Sequence, residues 1–246
     1  MTHPGLVLLF LASLWAGTQN ALAGGGSFIT LPALMLTGLD ARAANITSTL
    51  ALFPAQVATG WTGRGLVSGA AGVSFRALVA ISLVGGALGA VLLLATPAAF
   101  FARLVPWLVL FATAAFGWGS FGPHRTAGAR LGPLGAGTAQ FAIAVYGGYF
   151  GGGIGFLMLA ALTAAGLLVR HAAATKNVLA AVMNASAVAI FLFSPEVRWA
   201  AAGVCAAGAV VGGILGGLML HHVNERLLRI AIVVIGLCLT VGLFAR

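Results

Sequence analysis

Gly24-Gly25-Gly26-Ser27-Phe28-Ile29-Thr30-Leu31-Pro32 and, much later, Gly151-Gly152-Gly153-Ile154-Gly155-Phe156 are two glycine-led interruptions of an otherwise apolar chain. Laid over itself with a shift of 128 positions, the separation of Arg42 from Arg170, the sequence places Gly24, Gly25, Ser27 and Phe28 over Gly152, Gly153, Gly155 and Phe156. Without a gap, the same shift brings Gly38 over Gly166, Thr47 over Thr175, Gly85 over Gly213 and Gly89 over Gly217. A unit that occurs twice, with its best-matched stretches breaking hydrophobic runs, is the pattern expected of a secondary transporter.

Composition sets the solvent. Of the 246 residues, 61% are hydrophobic and 6% charged, against about 25% charged in a water-soluble domain. The 36 glycines follow no Gly-X-Y period, and Leu, Val, Ala and Phe fill the intervals, so neither collagen nor a disordered chain fits. The lipid bilayer is the expected partner. Although the net charge is +9, the twelve basic residues stand singly between apolar runs, which excludes a nucleic-acid surface. Cys205 and Cys238 lie in separate apolar segments without metal-ligand spacing, and read as small buried hydrophobes. Ala21-Leu22-Ala23 looks like a signal cleavage site. No Lys or Arg precedes the apolar run, however, and the segment has a mid-chain counterpart around 132–150, so it is expected to stay in the mature protein.

Apolar runs give five segments per half: 5–23, 25–38, 44–62, 75–96 and 104–121, then 132–150, 152–168, 173–193, 198–220 and 227–245. The division is residues 1–122 as a first transmembrane repeat, 123–131 as a connecting loop and 132–246 as a second. The second segment of each set is short and Gly-led, as half-helices at a binding site are. If all ten cross, Arg64, Arg76, Arg125, Arg130, Arg170, Lys176, Arg226 and Arg229 share one side, and Arg42, Arg103, Arg198 and Arg246 the other. If the short segments re-enter, the bias vanishes. Positive-inside logic favours ten crossings. Five crossings per repeat insert the second copy upside down, so the fold class expected is an all-α polytopic membrane protein of two inverted repeats with short broken helices at the glycine motifs.

Backbone is left open at membrane depth only where it lines a wet cavity or is buried in protein, and a helix starting after such a break offers free N–H groups and a positive dipole end to an anion. The two breaks, Gly24, Gly25, Gly26 and Ser27 with Gly151, Gly152 and Gly153, are therefore the first candidate site. Asn45, Thr47, Ser48 and Thr49 open the third span, and Thr175, Lys176 and Asn177 stand at the shifted positions. N-capping and substrate contact both explain these polar residues. Lys176 reads either as an anion ligand or as an interfacial lysine reaching for headgroups. Asn184 and Ser186, with Gln56 and Thr59 similarly placed in the first copy, either line the same route or bond neighbouring helices. Asp40, Glu196 and Glu225 are the only acids, and all fall in predicted loops. That leaves no catalytic residue, metal site or cofactor to propose.

The first break, followed by Gly38, Ala44 and Thr47-Ser48, resembles the duplicated motif of the sulfite exporter TauE/SafE family. Gly151-Gly152-Gly153-Ile154-Gly155, Ala174-Thr175-Lys176-Asn177-Val178 and Asn184 are similar to that family's second motif. The second copy departs from it at Lys176, where many members carry a Thr-Ser-like pair. The resemblance implies a multi-pass transporter of the bacterial inner membrane that exports a small sulfur-containing anion, sulfite or an organosulfonate. The alternative is a transporter or channel-like pore for another small anion or metabolite. Small-xxx-small runs such as Gly85 to Gly89 leave a homo-oligomer open.

Overall fold

The computed structural model describes residues 3–22, 25–121, 131–219 and 225–245. It is all-α: α1 (His3–Leu22), α2 (Ser27–Leu36), α3 (Ala41–Gly63), α4 (Phe75–Ala95), α5 (Ala98–Phe121), α6 (Pro133–Tyr149), α7 (Ile154–Ala164), α8 (Val169–Phe191), α9 (Trp199–Met219) and α10 (Glu225–Phe244). By length and apolarity, α4, α5, α8 and the Trp199–Gly216 part of α9 can each cross a bilayer. The chain is a multi-pass membrane protein. With α2 at 10 residues and α7 at 11, each helix is only about 15–17 Å long at ~1.5 Å per residue, about half of a ~30 Å hydrocarbon core. These are the short broken helices expected at the two glycine motifs, each shorter than the apolar stretch that holds it, 25–38 and 152–168.

Helix starts also lie earlier than expected. Asp40 caps α3, its carboxylate accepting the N–H groups of Arg42 and Ala43 at 3.0 Å, so the helix begins at Ala41. The apolar run that begins at Ala43-Ala44 hid this start. Asn45 to Thr49 are consequently inside the helix and do not cap it, and Lys176 lies seven residues into α8, which starts at Val169.

Glycine sets the packing. Lipid tails are as apolar as Leu, so membrane helices associate through close backbone approach and polar contacts. A methyl on Gly85 would lie 2.6 Å from Ala144 Cβ, and one on Gly208 would lie 2.5 Å from the Phe10 carbonyl. Gly86 and Gly148 press against one another, and Thr18 Oγ1 donates to the carbonyls of Leu14 and Gly212 at 2.9 and 3.0 Å. These contacts run α1 parallel to α9 (Phe10 at Gly208, Thr18 at Gly212) and α4 parallel to α6 (Ser82 at Gln140, Gly89 at Gly148). Between α3 and α8 the order reverses: Gln56 meets Asn184, Gly60 meets Ala181, and Gly63 meets Ala174. That pair is antiparallel, which puts Arg42 and Arg170, each in the first turn of its helix, at opposite ends of the molecule.

Every major packing pair has a counterpart in the other half. As α1 packs on α9, α6 packs on α4; as α3 packs on α9, α8 packs on α4; α2 contacts α1 and α3, and α7 contacts α6 and α8. A shift of 128 carries α3 onto the bounds of α8, but α4 begins at Phe75 and α9 at Trp199, 124 apart. The linker Arg64–Ser74 is four residues longer than Leu192–Arg198. The ungapped pairing of Gly85 with Gly213 is therefore corrected, since Ala209, which faces Gly17, holds the place equivalent to Gly85.

Replacing Gly212 by Ala puts a methyl 2.7 Å from the Leu14 carbonyl carbon, whereas Gly203 in the same helix has open space around it. Thermal unfolding of the purified protein in detergent is expected to fall by roughly 5 °C or more for Gly212→Ala and to stay within about 1 °C for Gly203→Ala.

Candidate functional site

Each half-helix starts at a glycine that only glycine's backbone freedom permits. Gly25, just before α2, has φ +82° and Gly153, just before α7, has φ +76°; the glycines two residues beyond the ends of the same helices, Gly38 and Gly166, both have φ +93°. At these angles an L side chain is strained by roughly 1–2 kcal/mol. The four positions pair off under the 128-residue shift, so both half-helices are cut out by the same backbone device. Gln19 steadies the first break by donating its Nε2 to the Gly25 carbonyl at 3.2 Å. Phe28 is the first residue in α2 whose N–H finds a described backbone acceptor, and in α7 it is Phe156. The N–H groups of Ile154 and Gly155 have no acceptor among the described residues.

The two half-helix starts meet in one cavity. Its walls are Asn20, Gly25, Gly26 and Ser27 from the first break, Phe150, Gly151, Gly153, Ile154 and Gly155 from the second, and the middles of α3 (Ser48, Thr49, Leu52, Gln56, Thr59) and α8 (Lys176, Asn177, Ala180, Asn184). It offers about 60 Å³ to the centres of water molecules, several times the ~10–15 Å³ that one water needs. A small polyatomic ion fits this space; a nucleotide or lipid does not.

Lys176 is the cation of this cavity. Its Nζ lies 3.6 Å from where a Cβ on Gly155 would stand, over the start of α7. It is half-buried and has neither ion pair nor hydrogen bond among the described residues. An ammonium held at membrane depth without a counter-ion is costly, and here a helix N-terminus beside it adds more positive potential. Gln56 and Asn184 join across the cavity wall, Asn184 Nδ2 donating to Gln56 Oε1. Buried Asn184 keeps its Oδ1 without a partner, an acceptor free for a proton donor in the cavity.

Of the residues singled out from sequence, Gly25, Gly26, Ser27, Ser48, Gly151, Gly153, Lys176, Asn177 and Asn184 line this cavity. Gly24 lies outside the described residues. Gly152 is absent from the lining and packs against Phe150. Asn45, Thr47 and Thr175 are also corrected, because their polar atoms are used elsewhere: Asn45 Nδ2 donates to the Tyr149 carbonyl at 3.1 Å, Thr47 Oγ1 accepts the Arg198 N–H at 3.3 Å, and Thr175 Oγ1 accepts the Ser68 N–H at 3.1 Å. These three hold linkers and breaks in place. Sequence reasoning weighed Thr49, Gln56 and Thr59 without placing them in the site, and it placed neither Asn20 nor the apolar wall of Leu52, Phe150, Ile154 and Ala180 there. The helical step from Ser48 to Leu52, and from Lys176 to Ala180, was the signal available for that wall.

The sequence profile of one protein family, described as Sulfite exporter TauE/SafE, matches residues 9–243. The chain belongs to this family. Its members are membrane transporters and not enzymes. A probable membrane transporter protein of Haemophilus influenzae is 30% identical over 96% of this chain and 92% of its own length. A probable membrane transporter protein from Sinorhizobium, ORF9, is 28% identical over 98% and 92% respectively. The Escherichia coli K12 probable membrane transporter protein YfcA is 28% identical over 96% and 88%. No solved structure matches.

Neighbouring glycines give a test of how the TauE/SafE cavity is built. Gly153→Ala combines positive φ with a methyl 2.9 Å from Ala112 Cβ, while Gly155→Ala meets Lys176 Nζ at an ordinary 3.6 Å. Thermal unfolding is expected to show a loss of about 1–3 kcal/mol for the first and little change for the second.

Proposed function

We propose that this TauE/SafE protein exports a small sulfur-containing anion, sulfite or an organosulfonate, across the bacterial inner membrane by alternating access between two inverted repeats, residues 1–122 and 132–246, joined by 123–131. The observation that carries the reading is Lys176, a cation without a counter-ion, placed among hydroxyl and amide donors where two half-helix starts converge. Sulfite oxygens would take hydrogen bonds from Ser27, Ser48, Asn177 and the N–H groups of Ile154 and Gly155, with charge balanced by Lys176. The description of the family as sulfite exporters supports the substrate class.

Support for the inverted arrangement comes from the antiparallel packing of α3 on α8 together with the matched packing partners of the two halves. A rotation that exchanges two antiparallel helices has its axis across them, in the membrane plane. The Arg64, Arg76 and Arg170 end would face the cytoplasm by the positive-inside rule. With the cytoplasm negative, an outgoing monovalent anion gains about 2.3 kcal/mol per 100 mV, so export needs no coupling ion.

Efflux of labelled sulfite from proteoliposomes is expected to saturate with concentration and to accelerate under an inside-negative potential, with Lys176→Met reducing it at least tenfold in a protein that still runs as a single species. Sulfite efflux that stays linear with concentration would favour the channel-like pore. Unchanged efflux in Lys176→Met would remove the lysine from the site.

A further inference from the structure

The two halves match in helices and packing partners, yet they are not equally closed. From Ala41 to Leu52 every residue except Arg42 and Thr49 is buried, whereas in the equivalent stretch Val169–Ala180 only Ala172, Ala174, Thr175 and Leu179 are. Among lining residues whose counterparts are described, the match is broken in the same sense. Asn20 and Thr59 extend it toward the Arg170 end, while their counterparts under the 128-residue shift, Gly148 and Ala187, are buried and do not line it.

A shielded ion pair stands at the closed end. Arg42 Nε donates to Glu196 Oε2 at 2.9 Å, its Nη2 meets Glu196 Oε1, and its Nη1 donates to the carbonyls of Leu94 and Thr96. One guanidinium therefore ties together the start of α3, the end of α4 and the linker between α8 and α9. Both side chains are largely shielded, at 18% and 23% exposure. A forked, shielded pair of this kind is geometrically specific and costly to break by removing one partner. Beside it, Asn45 holds the Tyr149 carbonyl and Tyr149 Oη donates to Thr96 Oγ1 at 3.4 Å. At the other end the counterpart arginine, Arg170, is exposed and has no partner among the described residues. The corresponding linker, Arg64–Ser74, contains no Asp or Glu, so no carboxylate is available there to answer it.

We infer that the Arg42–Glu196 ion pair is the closed gate of one membrane face, and that the cavity in this conformation is reached from the Arg170 face. Release on the far side requires the guanidinium to leave Glu196 and the Leu94 and Thr96 carbonyls, which unties the start of α3 from the end of α4 and from Glu196 and leaves Thr47 as its contact with the α8–α9 linker. The asymmetry is built into the sequence: one face is tied by an ion pair to a carboxylate, whereas at the other His171 and Thr175 reach only the backbone of Leu66 and Ser68, so the resting state favours the conformation open at Arg170. This inference rests on the alternating-access reading but not on the identity of the anion.

The test measures access, not transport. In a background with Cys205→Ala and Cys238→Ala, Ala180→Cys places one thiol in the cavity wall, and a membrane-impermeant thiol reagent is applied to sealed vesicles from either side. The thiol is expected to react from the Arg170 face, and at no more than a tenth of that rate from the Arg42 face. Glu196→Gln should raise the Arg42-face rate at least fivefold, Arg42→Gln should do the same by the independent route, and the charge-swapped Arg42→Glu with Glu196→Arg should bring it back down. An Arg42-face rate unchanged in both single variants, each still monodisperse, overturns the gate. Equal rates from both faces before any gate substitution overturn alternating access together with the gate. Sulfite efflux measured on vesicles of the protein that keeps Ala180 separates the two readings: absent efflux there, with gate-dependent labelling of the cysteine variant, removes the sulfur anion and leaves the gate.

Discussion

A backbone N–H or C=O without a partner inside a bilayer costs several kcal/mol, and the rest of this structure follows from where the chain accepts that cost. Full-length helices satisfy every such group internally. This chain interrupts its helices twice and sets both interruptions against the middles of α3 and α8. The unsatisfied N–H groups at Ile154 and Gly155 are thereby turned into the donor wall of a cavity. Hydrophobic burial cannot hold such a site together in lipid, so close contacts at Gly85, Gly86, Gly148, Gly208 and Gly212 bring the surrounding helices near enough to enclose it.

Two kinds of polar residue share the same short stretches and separate only in three dimensions. On α3, Thr47 and Ser48 are adjacent, but a helix turns by about 100° between neighbours. Thr47 faces the α8–α9 linker, while Ser48 faces the cavity and shares a 2.6 Å hydrogen bond with Thr30. Thr175 and Lys176 repeat the division in α8. The half of each pair that fixes a linker sets the depth of the other half, which is why residues outside the cavity control its shape.

The position of the cavity was legible in sequence because positive φ leaves a mark: glycine recurs at Gly25 and Gly153 and at Gly38 and Gly166 for a backbone reason that duplication preserves. Helix starts were less legible. Asp40 reads as a loop acid, and nothing local distinguishes a carboxylate in solvent from one that caps a buried helix. The four-residue difference between the two linkers lies in sequence with no apolar signal, so an ungapped shift set Gly85 against the wrong partner. Arg42 and Glu196 are 154 positions apart, and only the packing of α3 against the second half brings them together.

Gln56 and Asn184 are separated by the repeat shift itself, so each bonds its own counterpart. On the inverted-repeat reading, a contact of that kind lies on the axis that exchanges the halves. Two identical amides facing each other there would leave the two ends of the molecule equivalent. Gln on one side and Asn, one methylene shorter, on the other move the bond off centre. The ends are therefore not interchangeable at the very contact where counterparts meet, and direction is written into a single methylene.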